Sequence, residues 1–585
     1  MRVYYIKYIL SLFVVTILFS CNDLDLEQQD AASSATWYQT KDQFRESVSE
    51  GYRREFWPID KSGNGMSDDW MRRDALDAIK AGTIDSEDGR SLTRWSNLYK
   101  GITRMLVVKN QLESQTFLTM PDYEQFSGEV DFFLASYWSY LISHYGDVPF
   151  YEEEVSIEES YLISRTEKEE ILQKIYIYYD NAFNKLQPSY NGLKYVTKGA
   201  AAAFKARIAL YMGDFETAAT AAKNCIDLNE YELYPNYDQL FLPSTKNSVE
   251  TIFHLPRSAD YNIVYSGLDV QDFLPRNRGG YGARNPTWEL LASYLCTDGL
   301  PIDESPLFDS RNPFKNRDPR CAMTIVPFGS LEDGDGLLPS DGSLWLEREY
   351  TPHPEKKQIL NFANNTQVRN NDTRSVAQFA SFNGLIWKKG IDESWVDLET
   401  DQDEIIMRYA DVLLMYAEAK IELNQIDASV IDAIHQVRAR AYANSGTPYP
   451  QVTTTDQEEL RLIVRTERRM ELAFEGLRYM DLIRWKLADK VLTGNLIGML
   501  NVSTNANADV QPTGPLMDVI VNPDLYFWPI VPEIDEDGLP DFSEFLELGY
   551  ARSLNQISFP GRQYLWPIPA AERRINENLT QNEGY

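Results

Sequence analysis

The chain is poor in the residues that metal sites and nucleophilic sites use most often. It holds only four histidines and four cysteines in 585 residues. Apart from Cys21 the cysteines are Cys225, Cys296 and Cys321, whose odd number and wide spacing fit neither a disulfide framework nor a CxxC metal motif. The sequence also lacks HExxH, P-loop and GxGxxG patterns in the strand–helix setting that each requires. We therefore expect a fold that is stabilised by packing.

Basic residues are scarce relative to acidic ones. The chain has 56 lysines and arginines against 88 aspartates and glutamates, a formal net charge of −32. This balance argues against nucleic acid, whose affinity for proteins comes largely from basic side chains, and against docking on an anionic lipid surface. With 43% hydrophobic and 12% aromatic residues the chain is expected to fold. Its length suggests several domains, or one large α-rich domain with insertions.

The first 34 residues are typical of an export and anchoring segment. Arg2 and Lys7 precede an apolar run that is too short to span a bilayer, which predicts a cleaved signal peptide over residues 1–20. Leu18-Phe19-Ser20-Cys21 resembles the lipobox of bacterial lipoproteins, in which the cysteine is lipidated. Residues 21–34 form an acidic tether that resembles the export signal of surface-exposed lipoproteins. A chance cysteine after an ordinary signal peptide, and a plain acidic tether, are the alternatives.

Helical patterns dominate two parts of the chain. Residues 199–212 and 215–228 predict two antiparallel helices joined at Gly213-Asp214, with small residues that allow a close approach. Residues 408–423 and 427–442 repeat this pattern, with apolar positions at helical spacing. Further candidate helices are 95–110, 122–143 and 166–186. Such pairs are typical of tetratricopeptide repeats.

Two clear helical pairs are too few for a free-standing solenoid, so they must pack against the loop-rich remainder of the chain. We predict a mainly α fold, in which a tetratricopeptide-like helical-pair scaffold carries a large loop-rich variable subdomain. The predicted boundaries are a signal peptide at 1–20, the lipidated cysteine and tether at 21–34, scaffold at 35–255, a variable ligand-binding subdomain at 256–404, scaffold at 405–500 and a loop-rich C-terminal segment at 501–585.

Six segments carry a family resemblance. They are Phe133–Tyr137 with His144–Pro149, Lys205–Asp214, Asn316–Arg320, Met407–Ala419, Glu467–Arg478, and Leu565–Pro569 with Asn578–Tyr585. Together and in this order they resemble the SusD/RagB family of outer-membrane nutrient-binding lipoproteins, from the lipobox to the C-terminus.

The resemblance implies tetratricopeptide-like helices that cradle a variable, SusD-like binding subdomain. It implies a protein that is lipid-anchored on the outer face of the outer membrane and caps a SusC-type TonB-dependent transporter. It implies capture of oligosaccharides, or in some members peptides, without catalysis. Because binding residues vary between members, no motif carries them over to this chain.

The residues that are suited to catalysis or metal binding favour structural interpretations. Glu467, Glu471 and Glu475 lie at i, i+4 spacing among arginines, and we interpret them as one side of a charge ladder whose partners lie one turn away, rather than as acid–base or metal ligands. A glycosidase needs two carboxylates about 5–10 Å apart across a cleft, and the sequence singles out no such pair. The four histidines are interpreted as structural; they are His144, His254, His353 and His435.

Two acidic turns raise the question of calcium. Asp333-Gly-Asp335-Gly336 and Asp535-Glu-Asp537-Gly538 begin like a calcium loop but lack its third ligand and its final glutamate. We expect plain turns and no cofactor, with an incidental Ca²⁺ site as the alternative.

Aromatic residues provide the positive argument for glycan binding, because Trp and Tyr rings stack on sugar faces while Asp, Asn and Arg bond the hydroxyls. Trp95, Trp138 and Trp485 lie in predicted helices and are expected in the core. Aromatics in polar, Gly-rich surroundings are better candidates, since a flexible backbone can present them. The candidate ligand-binding residues are Asp69, Trp70, Arg72, Tyr281, Arg284, Trp288, Trp345 and Trp387.

The sequence therefore predicts a cell-surface lipoprotein that binds an oligosaccharide and delivers it to its transporter. The alternatives are capture of peptides by the same kind of system, a surface glycoside hydrolase, and an adaptor that binds only the transporter.

Overall fold

The structure is a computed structural model that describes residues 37–58, 63–328, 348–502 and 528–585, together with Val519. The predicted signal peptide, Cys21 and the tether lie outside the described residues. So do Trp345 and the loop Asp333–Gly336.

Helices make up most of the regular structure, as the sequence predicted. In chain order they are α1 Lys41–Ser49, α2 Gly89–Glu113, α3 Met120–Tyr145, α4 Ile157–Ser160, α5 Lys168–Lys185, α6 Lys198–Met212, α7 Phe215–Asp227, α8 Leu268–Gln271, α9 Trp288–Ser293, α10 Pro319–Thr324, α11 Tyr409–Glu422, α12 Ala428–Tyr442, α13 Gln457–Leu472, α14 Arg478–Arg484, α15 Ala488–Val491, α16 Ser543–Glu547 and α17 Ala570–Ile575.

The strands are short and form antiparallel pairs. They are β1 Trp70–Arg72, β2 Val148–Pro149, β3 Arg165–Thr166, β4 Thr251–Leu255, β5 Tyr265–Ser266, β6 Arg284–Pro286, β7 Gln358–Asn361, β8 Thr366–Arg369, β9 Glu399–Thr400, β10 Glu404–Arg408, β11 Gly494–Gly498, β12 Glu533–Ile534, β13 Pro540–Asp541 and β14 Arg552–Ile557. The pairs are β1–β6, β2–β3, β4–β10, β5–β9, β7–β8, β11–β14 and β12–β13.

The predicted helical pair α6–α7 is confirmed, and local chemistry explains its limits. The Thr197 side chain accepts a hydrogen bond from the Ala200 amide at the start of α6. Gly213 ends α6 in a left-handed conformation, with φ at +78°, and the Asp214 side chain caps α7. The alanines of α7 are buried, so the two helices pack closely.

The pair α11–α12 is confirmed in the same way. Asn424 has a positive φ of 53° in the turn, and the Asp427 side chain accepts from the Ser429 amide to cap α12. Helix α11 packs against both α7 and α12, while α3 packs against α2 and α5. The helices therefore form one connected layer, within which the candidate helices 95–110, 122–143 and 166–186 correspond to α2, α3 and α5.

Two hydrophobic cores lie side by side. The first is built from α1–α3, α5–α7 and α11–α15 and includes Trp95 and Trp138, as predicted. The second draws on the loop-rich segments and includes Trp70, Trp288 and Trp387. Helix α13 joins the two cores, because its early apolar residues pack in the first and Met470 packs in the second.

Buried ion pairs around α13 correct the charge-ladder prediction. Glu471 accepts hydrogen bonds from Arg408 at 2.6 Å and Arg320 at 3.0 Å, and it also accepts one from Arg440. Glu467 pairs with Arg320 and Arg438, each at 2.7 Å. These partners come from β10, α10 and α12, and not from one turn away, because the C-terminal half of α13 is buried between neighbouring elements.

The arginines of the same motif also pair across the fold. Arg468 donates to Asp411 at 2.9 Å, and Arg469 and Arg478 both donate to Asp68, at 2.7 and 2.8 Å. The interpretation of these charges as structural is confirmed, while the prediction of local partners is wrong. Periodicity within one helix carries no information about partners on other elements.

The histidines have structural roles, as interpreted from the sequence. Burial lowers the pKa of His144 to about 3, and its Nδ1 lies 2.9 Å from the Tyr140 carbonyl. His353 Nδ1 accepts from the Glu355 amide at 3.1 Å, and His435 Nε2 accepts from the Val452 amide at 2.9 Å. His254 is buried with Nε2 3.6 Å from Asp403.

Three of the cysteines and the second acidic turn lie among the described residues. Cys225, Cys296 and Cys321 are free and buried. Asp535 begins the β12–β13 hairpin, where its amide donates to the Leu539 carbonyl at 2.9 Å, and Lys490 lies 2.9 Å from its carboxylate. Asp535 Oδ1 also accepts from the amides of Asp537 and Leu539, so this carboxylate takes part in the turn. Within the described part of the chain, no cluster of three or more His, Cys, Asp or Glu side chains is arranged to hold a metal ion.

Candidate functional site

Pairing of β1 with β6 brings two of the predicted segments together. Arg72 lies opposite Arg284 and Trp70 opposite Pro286 in this antiparallel pair. The next residue, Arg73, donates its amide to the Ala283 carbonyl at 2.8 Å. Residues that are about 210 positions apart in the sequence therefore occupy one short ribbon.

Residues 383–387, which include the predicted Trp387, join the same ribbon through side-chain N–H donors. Asn285 Nδ2 donates to the Leu385 carbonyl at 2.9 Å, and Trp288 Nε1 donates to the Asn383 carbonyl at 2.8 Å. Asn383 Nδ2 donates back to the Pro286 carbonyl at 2.5 Å. The predicted residues at 69–72, 281–288 and 387 thus converge, while Trp345 lies outside the described residues.

The tryptophans of this ribbon point into the second core. Trp288 packs against Trp528, Phe542 and Phe545, with ring centroids 5.5–6.0 Å apart. Trp387 stacks on Phe474 at 4.1 Å. Trp70, Trp288 and Trp387 are each 3% exposed or less. The prediction that these tryptophans stack on a sugar is wrong for this structure. The loop-rich segments form a hydrophobic core of their own, and the three rings are buried in it.

Asp69 is also buried and belongs to an ion cluster. Its Oδ1 lies 3.5 Å from Arg469 Nε, next to the Asp68–Arg478 pair. Burial raises the pKa of Asp69 to about 6, while Arg469 opposes that shift. The predicted contact of Asp69 with a ligand is therefore replaced by a structural role in attaching β1 to α13.

Arg72 and Arg284 lie side by side on one face of the ribbon. Arg72 donates to Asp272 at 2.6 Å and to Asp74 at 2.8 Å, and Arg284 Nε lies 3.3 Å from Asp272. Both line a cleft of about 340 Å³ that also touches Trp70. The Arg72 side chain is 35% exposed, so its guanidinium is held by two carboxylates and remains partly accessible at the cleft.

Among the predicted aromatic residues that the structure describes, Tyr281 is the exposed one, with 38% of its surface accessible. Its amide donates to the Gln271 carbonyl at 2.6 Å, and the flanking Gly280 and Gly282 amides donate to Pro275 and Leu274. Gly280 has no room for a side chain, since a Cβ there would lie 2.2 Å from the Leu274 oxygen. The sequence suggested a flexible backbone here, but these hydrogen bonds hold the backbone in place. The Tyr281 ring is therefore presented from a fixed backbone.

Sequence reasoning missed residues next to Tyr281. Phe379 is 52% exposed, and Arg73 Nη1 donates to the carbonyls of both Tyr281 and Phe379. The Arg73 guanidinium lies 5.6 Å from the Phe379 ring and 6.0 Å from the Phe382 ring. The sequence signal for these residues was a pair of phenylalanines, Phe379 and Phe382, in the segment that leads to Asn383. We call Tyr281, Phe379, Phe382 and Arg73 the aromatic–arginine surface.

Among the described helices, none combines the length and the apolar character that crossing a bilayer requires. The prediction that Trp485 lies in a helix and in the core is wrong: it directly follows α14 and is half-buried, and its Nε1 donates to Glu418 at 2.7 Å.

Comparison with known proteins shows similarity along most of the chain. The family model described as "SusD family" matches residues 248–585, and a second, described as "Starch-binding associating with outer membrane", matches residues 31–210. SusD-like protein P25 from Formosa agariphila is 25% identical over 436 residues, which cover 73% of this chain and 77% of that protein.

Solved structures are similar in fold. A SusD-like carbohydrate binding protein from Bacteroides fragilis superposes with a TM-score of 0.72 at 25% identity, covering 92% of this chain and 99% of that one. A laminarin binding SusD-like protein gives a TM-score of 0.57 at 18% identity, covering 94% and 100%, a likeness of fold alone. The helical layer, the order of the motifs and a family match over more than half of the sequence agree, and the chain belongs to the SusD family.

Proposed function

We propose that this chain captures an oligosaccharide outside the cell and delivers it to a SusC-type TonB-dependent transporter, anchored to the outer membrane through lipid on Cys21. The observation that carries the proposal is the aromatic–arginine surface: two exposed rings, Tyr281 and Phe379, held by a pinned backbone in a member of the SusD family. The Bacteroides fragilis structure named as a carbohydrate binding protein supports the ligand class.

Ring stacking suits a sugar because a pyranose has an apolar C–H face that an aromatic ring covers. Tyr281 and Phe379 are bridged by Arg73, which bonds both of their carbonyls and so keeps the rings in a constant relation. A preformed platform lowers the entropy lost on binding. Because the rings are open to solvent, we expect modest affinity, which suits release to a transporter.

The carboxylates around the ribbon favour binding over hydrolysis. A glycosidase needs a general acid and a second carboxylate that both face the substrate. Asp272 is ion-paired with Arg72 and Arg284, and Asp69 is buried beside Arg469. These carboxylates are engaged with arginines, which supports a protein that returns its ligand unaltered.

Titration calorimetry and affinity gels with a panel of oligosaccharides test the proposal. Tyr281→Ala is expected to weaken binding about tenfold, since a stacked aromatic contributes about 1 kcal/mol or more. The matched control is Tyr161→Ala, an exposed tyrosine after α4 on the helical layer, which should bind as the parent chain does.

Three results would contradict the proposal. Equal glycan affinity of the Tyr281→Ala and Tyr161→Ala variants would show that Tyr281 is not part of a binding platform. Release of new reducing ends during incubation would make the protein a glycosidase. Binding of peptides with no binding of any glycan would assign it to peptide capture.

A further inference from the structure

Positive charge is concentrated around the aromatic–arginine surface, in a chain whose net charge is −32. Three guanidinium groups from three separate segments surround the Phe382 ring. The distances to its centroid are 4.2 Å for Arg374, 5.4 Å for Arg552 and 6.0 Å for Arg73. Such a local grouping of one sign of charge attracts ligands of the opposite sign.

A helical turn directly before Tyr281 adds two more arginines, Arg276 and Arg278, both partly exposed. The buried Asp372 carboxylate holds this turn, since it accepts hydrogen bonds from the amides of Arg276 at 2.6 Å and Asn277 at 3.3 Å. The turn therefore presents its guanidinium groups from a fixed backbone.

Three of these arginines, Arg73, Arg276 and Arg278, form no ion pair with the part of the chain that the structure describes. Among the described residues, no carboxylate oxygen lies within 4 Å of the guanidinium nitrogens of Arg73, Arg276 or Arg278. Burial lowers the pKa of Arg73; the nearby Asp74 raises it and the nearby Arg276 lowers it again.

The neighbouring carboxylates are engaged elsewhere. Asp74 and Asp272 pair with Arg72, Asp272 also lies 3.3 Å from Arg284, and Asp372 accepts the backbone amides of the turn. Beside the exposed rings, Arg73, Arg276 and Arg278 are therefore without a carboxylate contact among the described residues. Guanidinium forks match the geometry of sulfate and carboxylate groups, which they bind bidentately.

We infer that the ligand of the aromatic–arginine surface is an anionic oligosaccharide, which carries sulfate esters or uronate carboxylates on sugars that stack on Tyr281 and Phe379. Arg73, Arg276 and Arg278 bind its anionic groups. This inference rests on the proposed function and narrows its ligand class. Sulfate and carboxylate present the same anionic oxygens, so experiment must separate them.

The test uses the purified full chain and three matched probes in titration calorimetry: neutral laminarin oligosaccharides, uronate-rich oligogalacturonides and sulfated carrageenan oligosaccharides. We expect binding of an anionic probe, weakened by added salt because ions screen exposed charges. The variant R276Q/R278Q should lose about tenfold in affinity or more, since charge-assisted hydrogen bonds are the strong ones.

A charge-matched control separates local contacts from overall charge. R53Q/K100Q also removes two positive charges, from exposed residues on the helical part, and should bind as the parent chain does. Whichever anionic probe binds more tightly identifies sulfate or carboxylate as the recognised group.

The outcomes that overturn the inference differ from those that overturn the proposed function. Binding of the neutral probe with dependence on Tyr281 and none on Arg276 and Arg278 would refute the anionic ligand while glycan capture stands. If polyglutamate binds as tightly as the anionic oligosaccharides, and Tyr281→Ala does not change its affinity, the surface binds anions without recognising sugars. That result would refute the anionic-oligosaccharide inference as well. Binding of no glycan of any charge would refute the proposed function itself.

Discussion

The role of a single residue in this protein depends more on how deeply its side chain is buried than on which amino acid it is. Tyr281 and Trp288 lie seven positions apart in one polar segment, yet the first is exposed and the second is in the core. Glu471 resembles a surface residue of a charge ladder but is completely buried among three arginines. A buried carboxylate of this kind is stabilising only while its partners remain.

Glu471→Gln is expected to destabilise the fold by about 3–5 kcal/mol at pH 7, because it leaves buried arginines without compensating charge. Burial alone would raise the pKa of Glu471, but Arg440, Arg408 and Arg320 lower it well below 4.5. The carboxylate therefore stabilises the fold above pH 4.5, and this contribution is lost as the pH falls further. Chemical denaturation from pH 7 to pH 3 should show the difference from the parent chain shrinking below pH 4.5.

Glu459→Gln is the control, since Glu459 is exposed on the same helix α13. It should change the free energy of unfolding by a few tenths of a kcal/mol. A Glu471→Gln variant as stable as this control would show that the ion cluster around α13 contributes nothing.

At the scale of elements, the loop that carries Tyr281 is held as firmly as a strand. Its consecutive amides from Gly279 to Ala283 all donate to carbonyls of the segment 271–276. Glycine is required where the chain passes closest to Leu274, at Gly280. This arrangement positions the exposed ring without a regular sheet around it.

Gly280→Ala is expected to distort this loop, because its Cβ would lie 2.2 Å from the Leu274 oxygen and the backbone must shift. We expect a loss of about 1–3 kcal/mol in stability and weaker glycan retention in affinity gels. Gly89→Ala is the matched control at the start of α2, where no atom lies within 4 Å of the new Cβ. Unchanged retention by Gly280→Ala would show that the loop need not be rigid.

In the molecule as a whole, the two hydrophobic cores share one helix, α13. Helix α13 contributes to both cores, so the helical layer and the loop-rich part are expected to unfold together. The proposed attachment to the outer membrane is through lipid on Cys21.

Cys21→Ser is expected to move the protein from the membrane fraction to the soluble fraction and to abolish incorporation of labelled palmitate. Acyl chains contribute about 0.8 kcal/mol per buried CH₂, and the substitution removes the thiol that carries them. Ser33→Ala, a neutral change in the tether, should leave both readouts intact. A Cys21→Ser protein that stays in the membrane fraction would refute lipid anchoring as its means of attachment.

The helices and their order could be predicted from the amino-acid sequence, because caps such as Thr197 and Asp427, the turn at Gly213 and helical periodicity are local signals. The sequence analysis also selected residues on three segments that converge at β1 and β6. Which of these side chains are exposed became known from the packed structure alone: Trp70, Trp288 and Trp387 turn inward, while Tyr281 faces solvent beside Phe379 and Arg73. Burial and ion-pair partners depend on contacts between distant segments, and local patterns do not record those contacts.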